Sequence, residues 1–137
     1  MTTYDDIWIS FVDVCQVHPT TLPQTDEGKY ILINNGVRYY NSLIDRNKKQ
    51  IVCNDMLERI NTDLNNDELL LIGYCIKYRF LENELVRYEQ VWQPFSSDIG
   101  IKFYKDQINA RRETLKLTHV EIIRLLNNLD EMTFLGD

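Results

Sequence analysis

The residue types that could bind a metal ion or act as a nucleophile are few and far apart in this chain. Its 137 residues include two histidines and three cysteines: His18, His119, Cys15, Cys53 and Cys75. No pair of cysteines has the CxxC spacing of a zinc site, so a metal would need ligands from four distant segments. We therefore predict no metal site, and we expect reduced thiols that pack as small apolar side chains.

Carboxylates near the start of the chain offer a second ligand set, for a cation. Asp5, Asp6 and Asp13 are close in sequence, but acidic side chains in a first helical turn are favoured by the helix dipole alone. The sequence also lacks a GxSxG nucleophile motif, a glycine-rich phosphate loop and an HExxH pair. We therefore predict that the protein is not an enzyme and has no cofactor.

Two groups of basic side chains could contact nucleic acid. They are Arg46, Lys48 and Lys49 in one segment and Arg111, Arg112 and Lys116 in another. The chain has 15 lysines and arginines against 21 aspartates and glutamates, a net charge of −6. Since firm phosphate binding needs clustered positive charge in excess, we interpret both groups as solvated faces.

Tyrosine is the aromatic residue that carries most information here. Seven of the eight tyrosines lie on or beside apolar helix stripes: Tyr30, Tyr39, Tyr40, Tyr74, Tyr78, Tyr88 and Tyr104. A tyrosine suits a place where the ring is buried and the hydroxyl reaches water or a partner, as at subunit interfaces. A tyrosine-rich core is the alternative for any single residue, whereas the set as a whole favours an interface.

Apolar spacing in the first third of the chain predicts two amphipathic helices. The first covers residues 4–16, with Thr3 as its N-cap. The second covers residues 26–44, where Tyr30, Ile33, Val37, Tyr40 and Ile44 recur at spacings of 4-3-4-3. Gly36 lies inside this helix at a cost of about 1 kcal/mol relative to alanine, which predicts a close crossing with another helix.

The pattern over residues 48–62 is the least decisive in the chain. Ile51-Val52-Cys53 fits either a brief strand or an extended link, and so short a strand requires a pairing partner. That partner is either residues 59–62 or a neighbouring subunit. We expect Asn54 to cap a short helical segment over residues 55–60.

Two long helices, at about residues 67–93 and 101–129, dominate the second half. Each would run roughly 40 Å, and the short link around Pro94 returns the chain alongside itself. From Ile101 to Leu129 the apolar residues keep a strict 3-4 alternation, which is typical of a helix packed antiparallel on its neighbour. Arg111 interrupts this stripe, and we expect it to pair with Glu82 or Glu84 across the hairpin.

These elements predict an all-α fold, a helical bundle built on a long antiparallel helix hairpin. The pattern does not decide whether residues 48–62 form a short β excursion. We assign residues 1–130 to one domain and residues 131–137 to a C-terminal tail. The hairpin is too long for so small a chain to cover on all sides, so part of it should contact another copy or another protein. No apolar run is long enough to span a membrane, and the acidic start does not resemble a secretory signal.

The order of these parts resembles the head–tail connector (head-completion or adaptor) proteins of tailed bacteriophages. The strings that carry the resemblance are Leu22-Pro23-Gln24-Thr25-Asp26-Glu27, Tyr78-Arg79-Phe80-Leu81-Glu82-Asn83-Glu84-Leu85 and Gln93-Pro94-Phe95-Ser96, which are similar to a Gram-positive phage version. The resemblance implies a structural protein that forms a ring, twelvefold in most members, between the portal protein and the stopper or tail-completion protein. It also implies a location in the virion neck, after assembly in the host cytoplasm.

The resemblance further implies roles for particular residues. Docking on the portal would use the C-terminal segment, at Met132, Phe134 and Leu135. Contacts between adjacent subunits would use the long helices, at Tyr88, Trp92, Tyr104 and Arg111. Weak contact with DNA that passes through the lumen would use Arg46, Lys48 and Lys49, while an otherwise acidic wall lets the duplex slide.

Two other functions fit parts of the pattern. A small acidic helical regulator that masks a basic surface of a host or phage protein shares the acidity and the lack of catalytic motifs. It accounts less well for an overlong, tyrosine-rich hairpin. For the C-terminal Phe134 and Leu135, a frayed end is the alternative to a docking peptide.

Overall fold

A computed structural model describes residues 1–17, 19–44 and 50–136, with side chains described as far as residue 129. Within these ranges the chain forms five helices and one small antiparallel sheet. The helices are α1 (Tyr4–Val14), α2 (Asp26–Leu43), α3 (Asn66–Trp92), α4 (Ser96–Ile99) and α5 (Ile101–Gly136), and the strands are β1 (Cys53–Asn54) and β2 (Arg59–Ile60). The fold is a mainly helical bundle, as predicted.

Side-chain caps fix where the main helices begin. The Thr3 hydroxyl accepts from the Asp6 N–H, and the Asp6 carboxylate accepts from the Thr3 N–H, each at 3.2 Å. Asn65 and Glu68 form the same reciprocal pair at the start of α3. Because these short polar side chains bind N–H groups that lack a partner in the first turn, they set the start of each helix from the sequence alone.

The first half of α3 is the centre of the core. It packs against α1, α2 and α5, so its side chains are buried on nearly every side of the helix. The largest side chains that are essentially inaccessible are Ile7, Phe11, Ile33, Ile60, Leu71, Ile72, Ile76 and Ile122. The predicted stripe of α2 contributes to this core, since Ile33, Val37 and Tyr40 are all buried.

Two glycines allow helices to approach α3 closely. A Cβ atom added at Gly36 would lie 2.2 Å from Cγ1 and 3.0 Å from Cα of Ile76, which confirms the close crossing predicted at that position. A Cβ atom at Gly73 would lie 2.8 Å from the carbonyl oxygen of Ser10 on α1. The hydroxyl of the same serine donates to the Leu69 carbonyl at 2.7 Å. This second crossing was not predicted.

The β excursion pairs within the chain. Cys53 lies opposite Ile60 and Asn54 opposite Arg59. Of the two partners proposed for this strand, residues 59–62 are therefore the one observed, rather than a neighbouring subunit. The prediction of a helical segment over residues 55–60 was wrong. Residues 55–58 form a turn, in which the Asn54 side chain accepts from the Leu57 N–H at 3.1 Å and Glu58 has a positive φ of 52°.

The two long helices form the predicted antiparallel hairpin. Tyr78 contacts His119 while Tyr88 contacts Tyr104, so later residues of α5 meet earlier residues of α3. Between the helices the chain turns through a 3-10 segment, α4 and Gly100, whose φ of 93° suits glycine. Helix α5 continues to Gly136, so the backbone of residues 131–136, predicted as a separate tail, is helical.

In the described part of the chain, no helix combines the length and the apolarity needed to cross a membrane.

Candidate interaction surface

The hairpin extends beyond the bundle as an arm of two helices, which we call the outer arm (residues 81–117). No α3 side chain from residue 81 onward is fully buried, and in α5 up to residue 117 only Ile108 is. The arm therefore has a thin core of its own, and most of its side chains face outward.

The aromatic cluster of the arm brings together the four residues that were predicted as subunit-interface candidates. Tyr88 of α3 stacks on Tyr104 of α5, with ring centroids 6.3 Å apart and planes within 8°. Trp92 lies 6.3 Å from Tyr88 along the same helix. The Arg111 guanidinium lies 4.2 Å from the centre of the Tyr88 ring, a cation–π contact worth about 0.5–1 kcal/mol at an exposed site.

The predicted ion pair of Arg111 with Glu82 or Glu84 was wrong. Each of these glutamates binds an arginine three residues away on its own helix: Arg79 at 2.7 Å for Glu82 and Arg87 at 3.4 Å for Glu84. Such local partners require less ordering than a partner across the hairpin. The ion pair across the hairpin joins Arg112 to Glu89 instead, at 3.4 Å.

A groove of about 380 Å³ lies on one flank of the arm, between the end of α3 and the start of α5. Tyr104 and Ile108 give it an apolar wall, Lys105 adds positive charge, and the Arg112–Glu89 ion pair lies at its edge. A smaller groove of about 190 Å³ lies beside Tyr88, Trp92 and Arg111. The arm thus offers both apolar contact area and cationic groups to a partner.

Large apolar side chains are exposed along the whole arm. Those that are 40% or more accessible are Val86, Val91, Trp92, Phe95, Ile101, Phe103 and Leu117. Single exposed apolar residues are ordinary on a monomer, and the presence of seven on this one arm makes it the candidate interaction surface. The described residues leave this surface uncovered, as expected for a hairpin longer than the bundle that supports it.

The other residues predicted to have a role lie outside what the structure describes. The side chains of Met132, Phe134 and Leu135 follow residue 129, and the described part of α5 gives only their helical backbone. Arg46, Lys48 and Lys49 lie outside the described residues altogether. Their roles stay predictions.

A polar network at the opposite end of the molecule has no signal in the sequence. The Tyr4 hydroxyl donates to the Asp55 carboxylate, which also accepts from Asn34 Nδ2 at 3.0 Å. Tyr30 donates to Glu58 at 2.5 Å. The hydrogen bonds from Tyr4 and Asn34 lower the pKa of Asp55. The hydrogen bond to Glu58 raises the pKa of Tyr30 to about 12. Together these hydrogen bonds attach the turn of residues 55–58 to α1 and α2.

The cysteines pack as small side chains, and His119 is an exposed residue that contacts a tyrosine ring. All three thiols are free, and burial raises the pKa of Cys75 to about 12. His119 lies against Tyr78, whose ring stacks on Tyr39 with centroids 5.2 Å apart. No three His, Cys, Asp or Glu side chains among the described residues come close enough together to hold a metal ion.

Comparison with known proteins gives a match along nearly the whole chain. The model of the YomZ prophage protein family matches residues 1–131. The chain is 34% identical over 128 residues to the SPbeta prophage-derived uncharacterized protein YomZ of Bacillus subtilis (strain 168), which covers 93% of this chain and 95% of that relative. No solved structure matches.

Proposed function

The chain belongs to the YomZ prophage protein family, and from this phage origin we propose that it is a structural protein of the virion. In this proposal it forms a ring between the portal protein and the stopper or tail-completion protein. The ring completes the head and extends the DNA channel without any catalytic activity. Its place is the virion neck, after assembly in the host cytoplasm.

The observation that supports this proposal best is the outer arm with its exposed apolar side chains. An isolated small protein gains nothing from a two-helix arm that holds Val91, Trp92 and Phe103 in water, because burial of such groups is what stabilises protein–protein contacts. Permanent assembly into a larger particle covers such a surface. A freely diffusing regulator would carry the same surface uncovered for much of its lifetime.

The remaining contacts of the proposal follow the residue roles already predicted. Met132, Phe134 and Leu135 dock on the portal, and Arg46, Lys48 and Lys49 face the lumen. DNA passes these lysines and the arginine without specific binding, since an acidic protein attracts phosphate only weakly. Twelve copies would match the symmetry that is usual for such rings.

The test uses a lysogen that carries the gene. Deletion of the gene should leave heads and tails that do not join, and complementation with the intact gene should restore joined particles in electron micrographs. Mass spectrometry of purified particles should detect the protein, and antibody labelling should place it at the neck. Normal yields of joined, infective particles from the deletion strain would overturn the proposal.

A pair of variants tests whether the arm is the assembly surface. Replacement of two exposed apolar residues of the arm, Val91→Asn with Phe103→Asn, should leave the fold intact but reduce the yield of joined particles at least about tenfold, in proportion to lost interface energy. Val12→Asn, an exposed apolar position on α1, is the matched control. Recovery of a host enzyme or polymerase, rather than portal and tail proteins, in pull-downs from induced cells would favour a regulator instead.

A further inference from the structure

Two segments of the molecule carry opposite net charge. The start of α5, residues 101–116, has five basic and two acidic side chains, although the chain as a whole is acidic. Residues 1–6 and 54–68, which we call the acidic end, have seven acidic side chains and one basic side chain. Hydrogen bonds from the Tyr4 N–H to the Glu58 carbonyl and from the Leu64 N–H to the Thr2 hydroxyl, each 2.8 Å, hold these two segments together.

Four of the five basic side chains at the start of α5 lie on one flank of the helix, and Arg111 lies on the other side, against Tyr88. Lys102, Lys105, Asn109, Arg112 and Lys116 follow one another at spacings of 3-4-3-4, which places them along a single stripe. All five are exposed. The three lysines take part in no ion pair among the described residues, so their charge is available to a partner.

The groove of about 380 Å³ runs along this basic stripe. Tyr104 and Ile108 supply its apolar wall, and Lys105 flanks it, while Arg112 is paired with Glu89, which also lines the groove. The groove therefore fits a segment that has apolar side chains at its tip and carboxylates on the side of the lysines.

The acidic end presents such a segment. The turn Asp55-Met56-Leu57-Glu58 holds its two apolar side chains out in water, with Met56 95% and Leu57 57% accessible. The carboxylates of the same turn are fixed by hydrogen bonds from Tyr4, Asn34 and Tyr30. A rigid, preorganised turn loses little conformational entropy on docking.

The turn of one copy cannot reach the groove of the same copy. Asp67 lies in the first turn of α3 and Glu89 lines the groove, 22 residues later on the same helix, a separation of roughly 33 Å. Charges this far apart are screened at physiological salt, where the Debye length is about 8 Å. The complement of each end therefore has to be another molecule.

We propose that the outer arm of one copy binds the acidic end of a second copy, with the turn of residues 55–58 in the groove and the lysine stripe against the carboxylates. This inference rests on the proposed ring and specifies its subunit contact. Because the two surfaces differ, each copy binds one neighbour through its outer arm and a second neighbour through its acidic end. Such a heterologous contact closes into a ring or continues as a filament, and it does not stop at two copies.

Charge reversal at each end tests the contact. We expect Lys102→Glu with Lys105→Glu and Lys116→Glu to weaken self-association of the purified full chain at least about tenfold, since the reversed arm then places like charges across the interface. Asp5→Lys with Asp63→Lys and Asp67→Lys should do the same. An equimolar mixture of the two variants should associate again, because each reversed arm then meets a reversed acidic end. Sedimentation velocity at low and high salt measures all of these states.

Two controls separate docking from folding. Reversal of Arg38, which is exposed on α2 outside both surfaces, should leave association unchanged. Met56→Ala removes an almost fully exposed side chain and so should not change thermal unfolding, yet it should weaken association. Circular dichroism verifies the fold of every variant.

A cross-linking experiment on the unaltered protein needs no variant. Carbodiimide joins lysines to carboxylates in direct contact, and a mixture of ¹⁴N- and ¹⁵N-labelled protein identifies the links between copies. We expect links from Lys102 or Lys105 to Asp55, Glu58 or Asp63. A wild-type chain that stays monomeric and gives no such links, a mixture that fails to associate, or association that ends at a dimer would each overturn the inference.

The outcomes also distinguish this contact from the proposed function. Protein found at the virion neck without these links in the particle overturns the contact and leaves the proposed function in place. Links in the purified protein, together with its absence from particles, leave the contact in place and overturn the proposed function.

Discussion

At the scale of single residues, the core holds ionisable groups whose protonated forms are favoured by burial. Tyr40 is 6% accessible, and Cys75 is inaccessible beside it on α3. Burial raises the pKa of each group to about 12, with a further contribution at Tyr40 from the negative charge of Glu68. These groups stay neutral at physiological pH, so they pack as apolar side chains do.

The raised pKa of Tyr40 predicts a loss of stability in alkali. Because the pKa is higher in the folded state than the value near 10 of an unfolded chain, the stabilisation is complete below pH 10 and is lost as the pH rises through 12. The expected loss from this one residue is on the order of 2–3 kcal/mol. Urea unfolding of the wild type and of Tyr40→Phe, followed from pH 8 to pH 12, measures it.

In that comparison, Tyr40→Phe should lose less stability with rising pH, while the other tyrosines contribute equally to both proteins. Parallel curves for the two proteins would show that Tyr40 is not the group responsible.

At the scale of elements, α3 has two environments along one helix. Its first half touches α1, α2 and α5, and small residues at two positions let its neighbours approach. Its second half touches only the hairpin and forms ion pairs with nearby arginines. The same helix therefore organises the core at one end and supports an exposed surface at the other.

The crossing of α2 and α3 predicts a strong effect for the smallest substitution at Gly36. The added methyl group of Gly36→Ala would overlap the side chain and approach the backbone of Ile76. We expect it to lower the free energy of unfolding by about 1–3 kcal/mol, the usual cost of an overpacked core, despite alanine's better helix propensity. Thermal and urea unfolding measure the change.

Combining Gly36→Ala with Ile76→Ala tests the cause. Removal of the Ile76 side chain relieves part of the overlap, so the double variant should be more stable than the sum of the two single effects predicts. Simple additivity would contradict the steric explanation. Arg38→Ala, on the exposed side of the same helix, is the control and should stay within about 0.5 kcal/mol of the wild type.

At the scale of the whole molecule, stability is unevenly distributed. The buried side chains are concentrated where α1 and α2 pack on the first half of α3, whereas Ile108 is the only buried side chain of the outer arm. Regions with few buried apolar contacts open locally at a lower free energy than the core. We therefore expect the part where α1 and α2 pack on α3 to open at a higher free energy than the outer arm.

This distribution predicts two classes of hydrogen exchange. Amides of α3 before residue 81 should exchange slowly, near the rate of global unfolding, while those of residues 83–92 and 102–115 should exchange at least about tenfold faster. Hydrogen–deuterium exchange with mass spectrometry resolves the two segments. Equal protection along α3 in the isolated chain would contradict it, and protection of the arm should rise when the protein is assembled.

Much of the fold could be predicted from local sequence because its signals are local. The cap at Thr3, the stripe of α2 and the 3-4 alternation of α5 depend on residues within a few turns of each other. The crossing at Gly36 was also predictable, since a glycine inside a helix needs a reason. The turn of residues 55–58 was not, because the contacts that hold it come from Tyr4, Tyr30 and Asn34, far away in the chain.

By itself the sequence determined the long helices and the antiparallel pairing of α3 with α5. It could not determine which arginine crosses the hairpin, because Arg111 and Arg112 are adjacent and only the rotation of α5 against α3 directs one to Tyr88 and the other to Glu89. Nor could the sequence give the distance between the groove of the arm and the turn of residues 55–58, since that distance depends on the direction in which α3 runs between them. Periodicity within a helix is a property of neighbouring residues, whereas the placement of one helix on another depends on packing between residues distant in sequence.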